Sequence, residues 1–316
     1  MERDQRKVVL VGTGMVGMSY AYALLNQPVC NELILIDIDR KKAQGEAMDL
    51  NHGLPFAQSH MKIRAGDYDE CADADLVVIC AGVAQKPGES RLDLLQRNAD
   101  VLREIVQPIV ASGFQGIFLA ATNPVDIITH IIRDLSGFPP ERVIGSGTTL
   151  DSARLRYMIG EYFHIDPRGV HAYVVGEHGD SEFVPWSQAL IATKSVLELC
   201  EEAVGGCQFC DLQAIGEQVR TSAQKIIEAK KATYYGIGMA LVRITKAIFD
   251  DENSILTVSV LADGQYGLRD VYLGLPAILN RGGVRSILNL NLLDEELEQL
   301  AQSAKTLKEF YAQLKI

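Results

Sequence analysis

No run of apolar residues in this sequence approaches the roughly 20 that a bilayer-spanning helix needs. The start of the chain, Met1-Glu2-Arg3-Asp4-Gln5-Arg6-Lys7, lacks the apolar segment of a secretory signal. Basic residues are also in deficit. Thirty Lys and Arg against 41 Asp and Glu leave a formal charge of -11, which argues against nucleic acid or an anionic membrane as the main partner. An anionic ligand therefore needs a local cluster of Arg, Lys or backbone N–H groups. Internal repeats, low-complexity tracts and flexible linkers are missing as well. Cysteine is sparse: Cys30, Cys71 and Cys80 are scattered, while Cys200, Cys207 and Cys210 cluster around one CxxC. A zinc site would want a fourth close ligand, and a redox CxxC would want a strand–helix junction; neither is present, so ordinary thiols are expected there. These absences predict a cytoplasmic protein with no metal, no nucleic acid and no membrane among its partners.

What remains is ordinary globular material. Apolar residues are 47% and charged residues 22% of 316, enough for one large domain or two ordinary ones. The apolar strand Lys7 to Val11 runs into Gly12-Thr13-Gly14-Met15-Val16-Gly17 and then a helix through Leu25. A GxGxxG flanked by strand and helix is the context that makes the motif meaningful: Gly12 for the tight turn, Gly14 for close approach of a pyrophosphate, Gly17 for helix–strand packing. The second strand, Leu33 to Ile36, ends in Asp37, about twenty residues beyond the last glycine. A carboxylate there takes the ribose hydroxyls of NAD and repels the extra phosphate of NADP. Strands and helices keep alternating to about Ile144, which predicts an α/β, doubly wound parallel sheet of the Rossmann kind. Ligands in such sheets lie beyond the carboxyl ends of the strands. Those ends carry Gly82, a Pro-containing lid segment with Gln85 and Arg91, then Thr122-Asn123-Pro124 with an X-Pro bond open to the cis form, then Thr148-Thr149-Leu150-Asp151. Thr148 or Thr149 can cap the following helix, which sets Asp151 and Arg154 one turn apart on one face; a surface ion pair is the plain alternative.

Beyond Asp151 the rhythm changes to an α+β pattern, giving an expected boundary near residue 146: a dinucleotide-binding domain over 1–146 and a substrate domain over 147–316. The apolar run Val170 to Val175 reads as a buried strand delivering His178, which sits between Gly176 and Gly179. Histidine gives and takes a proton near neutrality, but alone it is as well read as a solvated loop residue. With Asp151 to set its tautomer, His178 can protonate the alkoxide that hydride transfer to a carbonyl creates. Arg91 can polarise that carbonyl, and Arg154 can clamp a carboxylate with two parallel N–H bonds. Together they describe interconversion of a 2-keto acid and a 2-hydroxy acid.

Four segments carry a family resemblance: the glycine loop, Ala121-Thr122-Asn123-Pro124-Val125-Asp126, Gly147-Thr148-Thr149-Leu150-Asp151-Ser152-Ala153-Arg154 and Gly176-Glu177-His178-Gly179-Asp180. With them the chain resembles the L-lactate/malate dehydrogenase family, nearly end to end, and most of all its bacterial lactate branch. The resemblance implies NADH-dependent reversible reduction of pyruvate to L-lactate, with malate or another L-2-hydroxy acid as the alternative substrate. It implies catalysis by His178, Asp151 and Arg91, and substrate contacts from Gln85, Arg91, Asn123, Arg154 and Thr233. NAD contacts are implied for Gly12, Gly14, Met15, Val16, Gly17, Asp37, Gly82, Thr122, Asn123 and Ile237. Finally, it implies a homotetramer in which Arg156 and His171 bind fructose 1,6-bisphosphate as activator. The segment from Cys200 to Cys210 departs most from the family pattern.

Overall fold

The computed structural model describes residues 6–58, 60–83, 88, 91–202 and 209–315. Its first half alternates β1 (Lys7–Val11), α1 (Met15–Leu25), β2 (Glu32–Ile36), α2 (Arg40–Gly53), β3 (Lys62–Ala65), β4 (Leu76–Ile79), α3 (Arg91–Ala111), β5 (Ile117–Ala120), α4 (Val125–Ser136) and β6 (Val143–Gly145). The six strands are parallel and lie in the order β3-β2-β1-β4-β5-β6. β1, β4 and β5 are buried along their whole length, because helices cover both faces of the sheet. That is why these strands read as continuous apolar runs and not as alternating ones. The direction of winding reverses between β1 and β4, so a crevice opens at the carboxyl ends of these two strands.

The second half begins with α5 (Thr149–Phe163) and a small antiparallel sheet of β7 (Val170–His171), β8 (Leu190–Ile191) and β9 (Lys194–Ser195). Then come α6 (Val196–Glu202), α7 (Phe209–Lys230), α8 (Tyr235–Phe249), β10 (Ser254–Ala262), β11 (Val271–Asn280), β12 (Gly283–Ile287) and α9 (Asp294–Tyr311). The fold is thus a Rossmann-type doubly wound sheet joined to an α+β second half. One detail differs from the sequence reading, and a second was not foreseen by it. The expected strand Val170 to Val175 is paired as a strand only at Val170–His171; beyond it, Val175 bridges Phe183 and Gly176 bridges Gly274, which makes a stapled loop. And β10 to β12 do not form a sheet of their own. β10 pairs antiparallel with β6 through Ser259 and Gly145, so among the described residues one nine-stranded sheet runs through both halves.

The core follows that continuity. One buried cluster extends from Val8 and Leu33 through Phe118 and Ile144 to Val258, Leu273 and Leu300. A separate one, with Leu155, Ile159, Val170, Val196 and Leu212, sits between α5, α7 and the small sheet. Cys200, on α6, is disulfide-bonded. This corrects the expectation of ordinary thiols in that segment, since spacing alone does not reveal which sulfurs meet; Cys207 lies outside the described residues. Among the described residues no helix is long and apolar enough to cross a membrane.

Candidate active site

The glycine loop follows β1 directly, and its backbone is committed to the turn: Gly12 N–H donates to Ile36 O at 2.8 Å and Gly12 has φ +100°. A Cβ on Gly12 would stand 2.5 Å from Ala81 N, across the crevice in the segment after β4. A Cβ on Gly17 would stand 2.1 Å from Gly12 O, so any side chain there drives α1 off the loop. Gly14, by contrast, has nothing within 4 Å, and as N-cap of α1 it makes no side-chain capping bond. Open space therefore adjoins the N-terminus of α1 at Gly14, as a pyrophosphate site requires. Met15 and Val16 begin that helix, with Met15 well exposed.

Asp37 stands where the ribose contact is expected, at the end of β2. Its Oδ2 accepts from Thr13 N–H at 2.8 Å and from the Thr13 hydroxyl at 2.7 Å, and its Oδ1 accepts from Asp39 N–H at 3.0 Å. Burial acts to raise its pKa, but these donors outweigh it and hold the carboxyl below its ordinary range. On the other side of the crevice the Thr122 hydroxyl donates to Ala81 O at 2.7 Å, and a Cβ on Gly82 would meet Thr122 at 2.5 Å. Asn123 is exposed at the end of β5, and its bond to Pro124 is cis. Ile237, half-buried in the first turns of α8, packs on the main core, and Thr233 lies in the short turn before that helix. Gln85 lies outside the described residues. Arg91 opens α3.

The expected proton-transfer pair is closely built. His178 Nδ1 and Asp151 Oδ2 are 2.6 Å apart, and Asp151 Oδ1 accepts from Arg154 Nη1 at 2.8 Å. Asp151 is almost wholly buried, at 2% exposure, so this is no surface ion pair. The partners that place these side chains are themselves interlocked. Thr148 does precede α5, but its hydroxyl donates to Val174 O at 2.6 Å and does not cap the helix. Thr149 donates to Thr257 O at 2.9 Å, and Ser152 Oγ takes the Val174 N–H at 2.9 Å. Thr148 and Ser152 thus fix the start of α5, which carries Asp151, to the segment leading to His178, and Thr149 ties it to β10, which corrects the threonines' expected capping role. A reciprocal pair between Gly176 and Gly274, at 2.9 and 2.7 Å, staples the same loop to β11.

Two acidic residues that sequence reasoning did not assign complete the surroundings. Asp126, buried in the first turn of α4, accepts the His178 N–H at 2.8 Å through Oδ2 and the Ser259 hydroxyl at 2.6 Å through Oδ1. Burial pushes it up to about 6, against the pull of those donors. Glu182 closes the turn after His178, and one polar atom each of Glu182, His178 and Asp151 lies within 4.8 Å of the others. The only sequence signal for either was a carboxylate set beside apolar residues. Burial alone would drag His178 down, yet the charge and hydrogen bond of Asp151 overcome it and raise the imidazole to about 9. The same coupling keeps Asp151 below the ordinary carboxylate range in spite of its burial. At neutrality the site therefore presents an imidazolium braced by a carboxylate, next to an arginine.

A glycine-loop crevice and a buried Asp–His pair able to exchange a proton are together what a nicotinamide-dependent oxidoreductase needs. Two family descriptions match the chain in tandem: lactate/malate dehydrogenase, NAD binding domain, over residues 6–145, and lactate/malate dehydrogenase, alpha/beta C-terminal domain, over 148–315. The chain belongs to the lactate/malate dehydrogenase family, and its cofactor is NAD. L-lactate dehydrogenase 1 of Bacillus cereus is 55% identical over 312 residues, covering 99% of both chains. Among solved structures, a lactate dehydrogenase from a Medee basin deep-sea metagenome library superposes with a TM-score of 0.96 at 55% identity, covering 98% of each chain. The minor L-lactate dehydrogenase of Enterococcus mundtii in its ligands-bound form gives 0.97 at 46% identity, over 99% of this chain and all of that one.

Proposed function

We propose that the protein interconverts pyruvate and L-lactate, with residues 1–146 as the NAD-binding domain and 147–316 as the catalytic one. The observation that carries this reading is the Asp151–His178 pair, 2.6 Å apart and backed by Arg154. NADH, when bound, supplies the hydride. Gly12, Gly14, Met15, Val16 and Gly17 cradle its phosphates, Asp37 takes a ribose, and Gly82, Thr122, Asn123 and Ile237 line the rest of its path. His178 is protonated at neutral pH and gives its proton to the carbonyl oxygen as that oxygen becomes an alkoxide. Asp151 keeps Nδ1 as the protonated nitrogen, so that Nε2 faces the substrate, and stabilises the imidazolium. Arg154 binds the substrate carboxylate with a face not spent on Asp151. Arg91 polarises the carbonyl, Asn123 lies beside it, and Thr233 borders the small methyl group.

Pyruvate is preferred to oxaloacetate on electrostatic grounds. Gln85 offers a second carboxylate no counter-charge, and burying an unpaired charge costs several kcal/mol. The assay is direct: purified protein with NADH and either keto acid. Higher kcat/KM for pyruvate supports the reading, and preference for oxaloacetate replaces it with malate dehydrogenase. We further place the enzyme in the cytoplasm as a homotetramer that fructose 1,6-bisphosphate activates through Arg156 and His171. Exposed Met48, Tyr157, Tyr235 and Met239, on α2, α5 and α8, support assembly, since such apolar surface favours burial.

A further inference from the structure

Beside the loop that carries His178 lies a cavity of about 320 Å³. Glu182 lines it, together with Trp186, Gly216, Glu217 and Arg220. The same Glu182 lies within 4.8 Å of His178 and Asp151. It therefore stands between the proton-transfer pair and a body of solvent separate from the dinucleotide crevice. Its loop is held in place: Val175 and Phe183 exchange backbone bonds at 3.0 and 3.1 Å, and Glu182 N–H donates to Gly179 O at 3.2 Å.

Two carboxylates this close in a half-buried site do not both ionise cheaply. Asp151 keeps its charge because both its oxygens are engaged by cationic donors, His178 and Arg154. Among the described residues Glu182 has no such pair. Arg220, the nearest cation on α7, is turned to Asp180 O at 3.0 Å and to Glu217. From α9, Glu295 and Glu296 face the cavity, and Glu296 is spent on Ser187 and the Leu293 N–H. Asp126 approaches from α4 on the far side of His178.

We propose that Glu182 is a positioning residue that stays a neutral carboxylic acid beside the Asp151–His178 pair and exchanges its proton with solvent through the cavity. On losing that proton to cavity water it becomes a second anion beside His178, and anionic pyruvate is then repelled from the site. Burial and the Asp151 charge push Glu182 up to about 8, so the change falls just above neutrality. The consequence for substrate rests on pyruvate being the keto acid; the protonation state does not.

The protonation state is read without substrate. In the infrared difference spectrum between about pH 6.5 and pH 9, wild type should lose a protonated-carboxyl stretch that Glu182→Gln lacks altogether. Filling the cavity with Gly216→Leu, whose first carbon has only Trp186 and Val184 at 3.8 Å, should displace water and move that band's midpoint upward. With pyruvate, wild-type KM should rise roughly three- to fourfold between about pH 7 and pH 8.5, while Glu182→Gln stays within about 1.5-fold. A merely structural glutamate would shift KM equally at every pH. Absence of the band, an unmoved midpoint in Gly216→Leu, or the same KM slope in Glu182→Gln overturns the proposal. If the band titrates and pyruvate is not turned over at all, the substrate assignment has failed instead.

Discussion

His178 owes its raised pKa to one neighbour, and that makes its pH dependence predictable in sign. Burial alone would lower it; Asp151 lifts it to about 9. The folded protein thus favours the imidazolium, a contribution to stability fully present below the ordinary value of about 6.5 and lost as pH rises through about 9. Keto-acid reduction needs the protonated form and should fall above about pH 9, whereas hydroxy-acid oxidation needs the neutral form and should rise toward it. Asp151→Asn leaves burial unopposed, so the midpoint of the kcat/KM profile should drop by more than about one unit. His178→Asn should lose about 10²–10⁴-fold in turnover while NADH still binds, as fluorescence titration would show; near-normal turnover would remove His178 from the mechanism. Both residues were legible in the sequence because glycines flank the histidine and Arg154 recurs three residues beyond the aspartate. Asp126 and Glu182 were not: an acid in a first helical turn, like Asp126, reads equally well as a helix start, and Glu182, in a loop, reads as a solvated carboxylate. Asp126 is nonetheless built in: an amide there can accept only one of the two donors that its carboxylate now takes. Asp126→Asn should cost about 1–3 kcal/mol in denaturant unfolding. It should also loosen the loop that presents His178.

The elements were read well where a local rule decides them and poorly where a distant partner does. Each parallel strand announces itself by a continuous apolar run, and the glycine loop by its flanking strand and helix. Pairing of β10 with β6 is a contact between residues more than a hundred apart, and no local pattern encodes it. The short β7 misled for a related reason: Val170 to Val175 is apolar because it is buried, and Ser152 and Thr148 take the hydrogen bonds that a strand partner would have supplied at Val174. The thriving local rule at α1 can be tested. Gly17 touches the loop so closely that Gly17→Ala must shift the helix. The expected cost is about 1–3 kcal/mol of stability, in the range of overpacked cores. NADH affinity should weaken as well, since the helix N-terminus proposed to receive the phosphates moves with it. Unchanged melting temperature and dinucleotide affinity would mean that the loop yields instead.

Across the whole molecule, α5 would connect the proposed active and effector sites. It carries Asp151 and Arg154 toward the crevice, and Arg156, two residues on, points elsewhere. Arg156 is half-buried, and its Nε reaches Pro167 O at a long 3.4 Å, which leaves its terminal nitrogens to a ligand. His171 is exposed on β7, and β7 packs against α5. A bisphosphate held between the Arg156 and His171 of two subunits would offset the repulsion of cations across the interface, and so favour assembly. By linkage, a ligand that favours the assembled state must raise affinity for whatever substrate that state binds better. We expect fructose 1,6-bisphosphate to lower the pyruvate KM by roughly five- to a hundredfold and to shift sedimentation toward the tetramer. Arg156→Gln should abolish both responses while leaving kcat at saturating pyruvate within about twofold, because Arg156 touches neither Asp151 nor His178. A wild-type KM and sedimentation profile indifferent to the bisphosphate would mean that α5 carries no such signal and that the enzyme works unregulated at this surface.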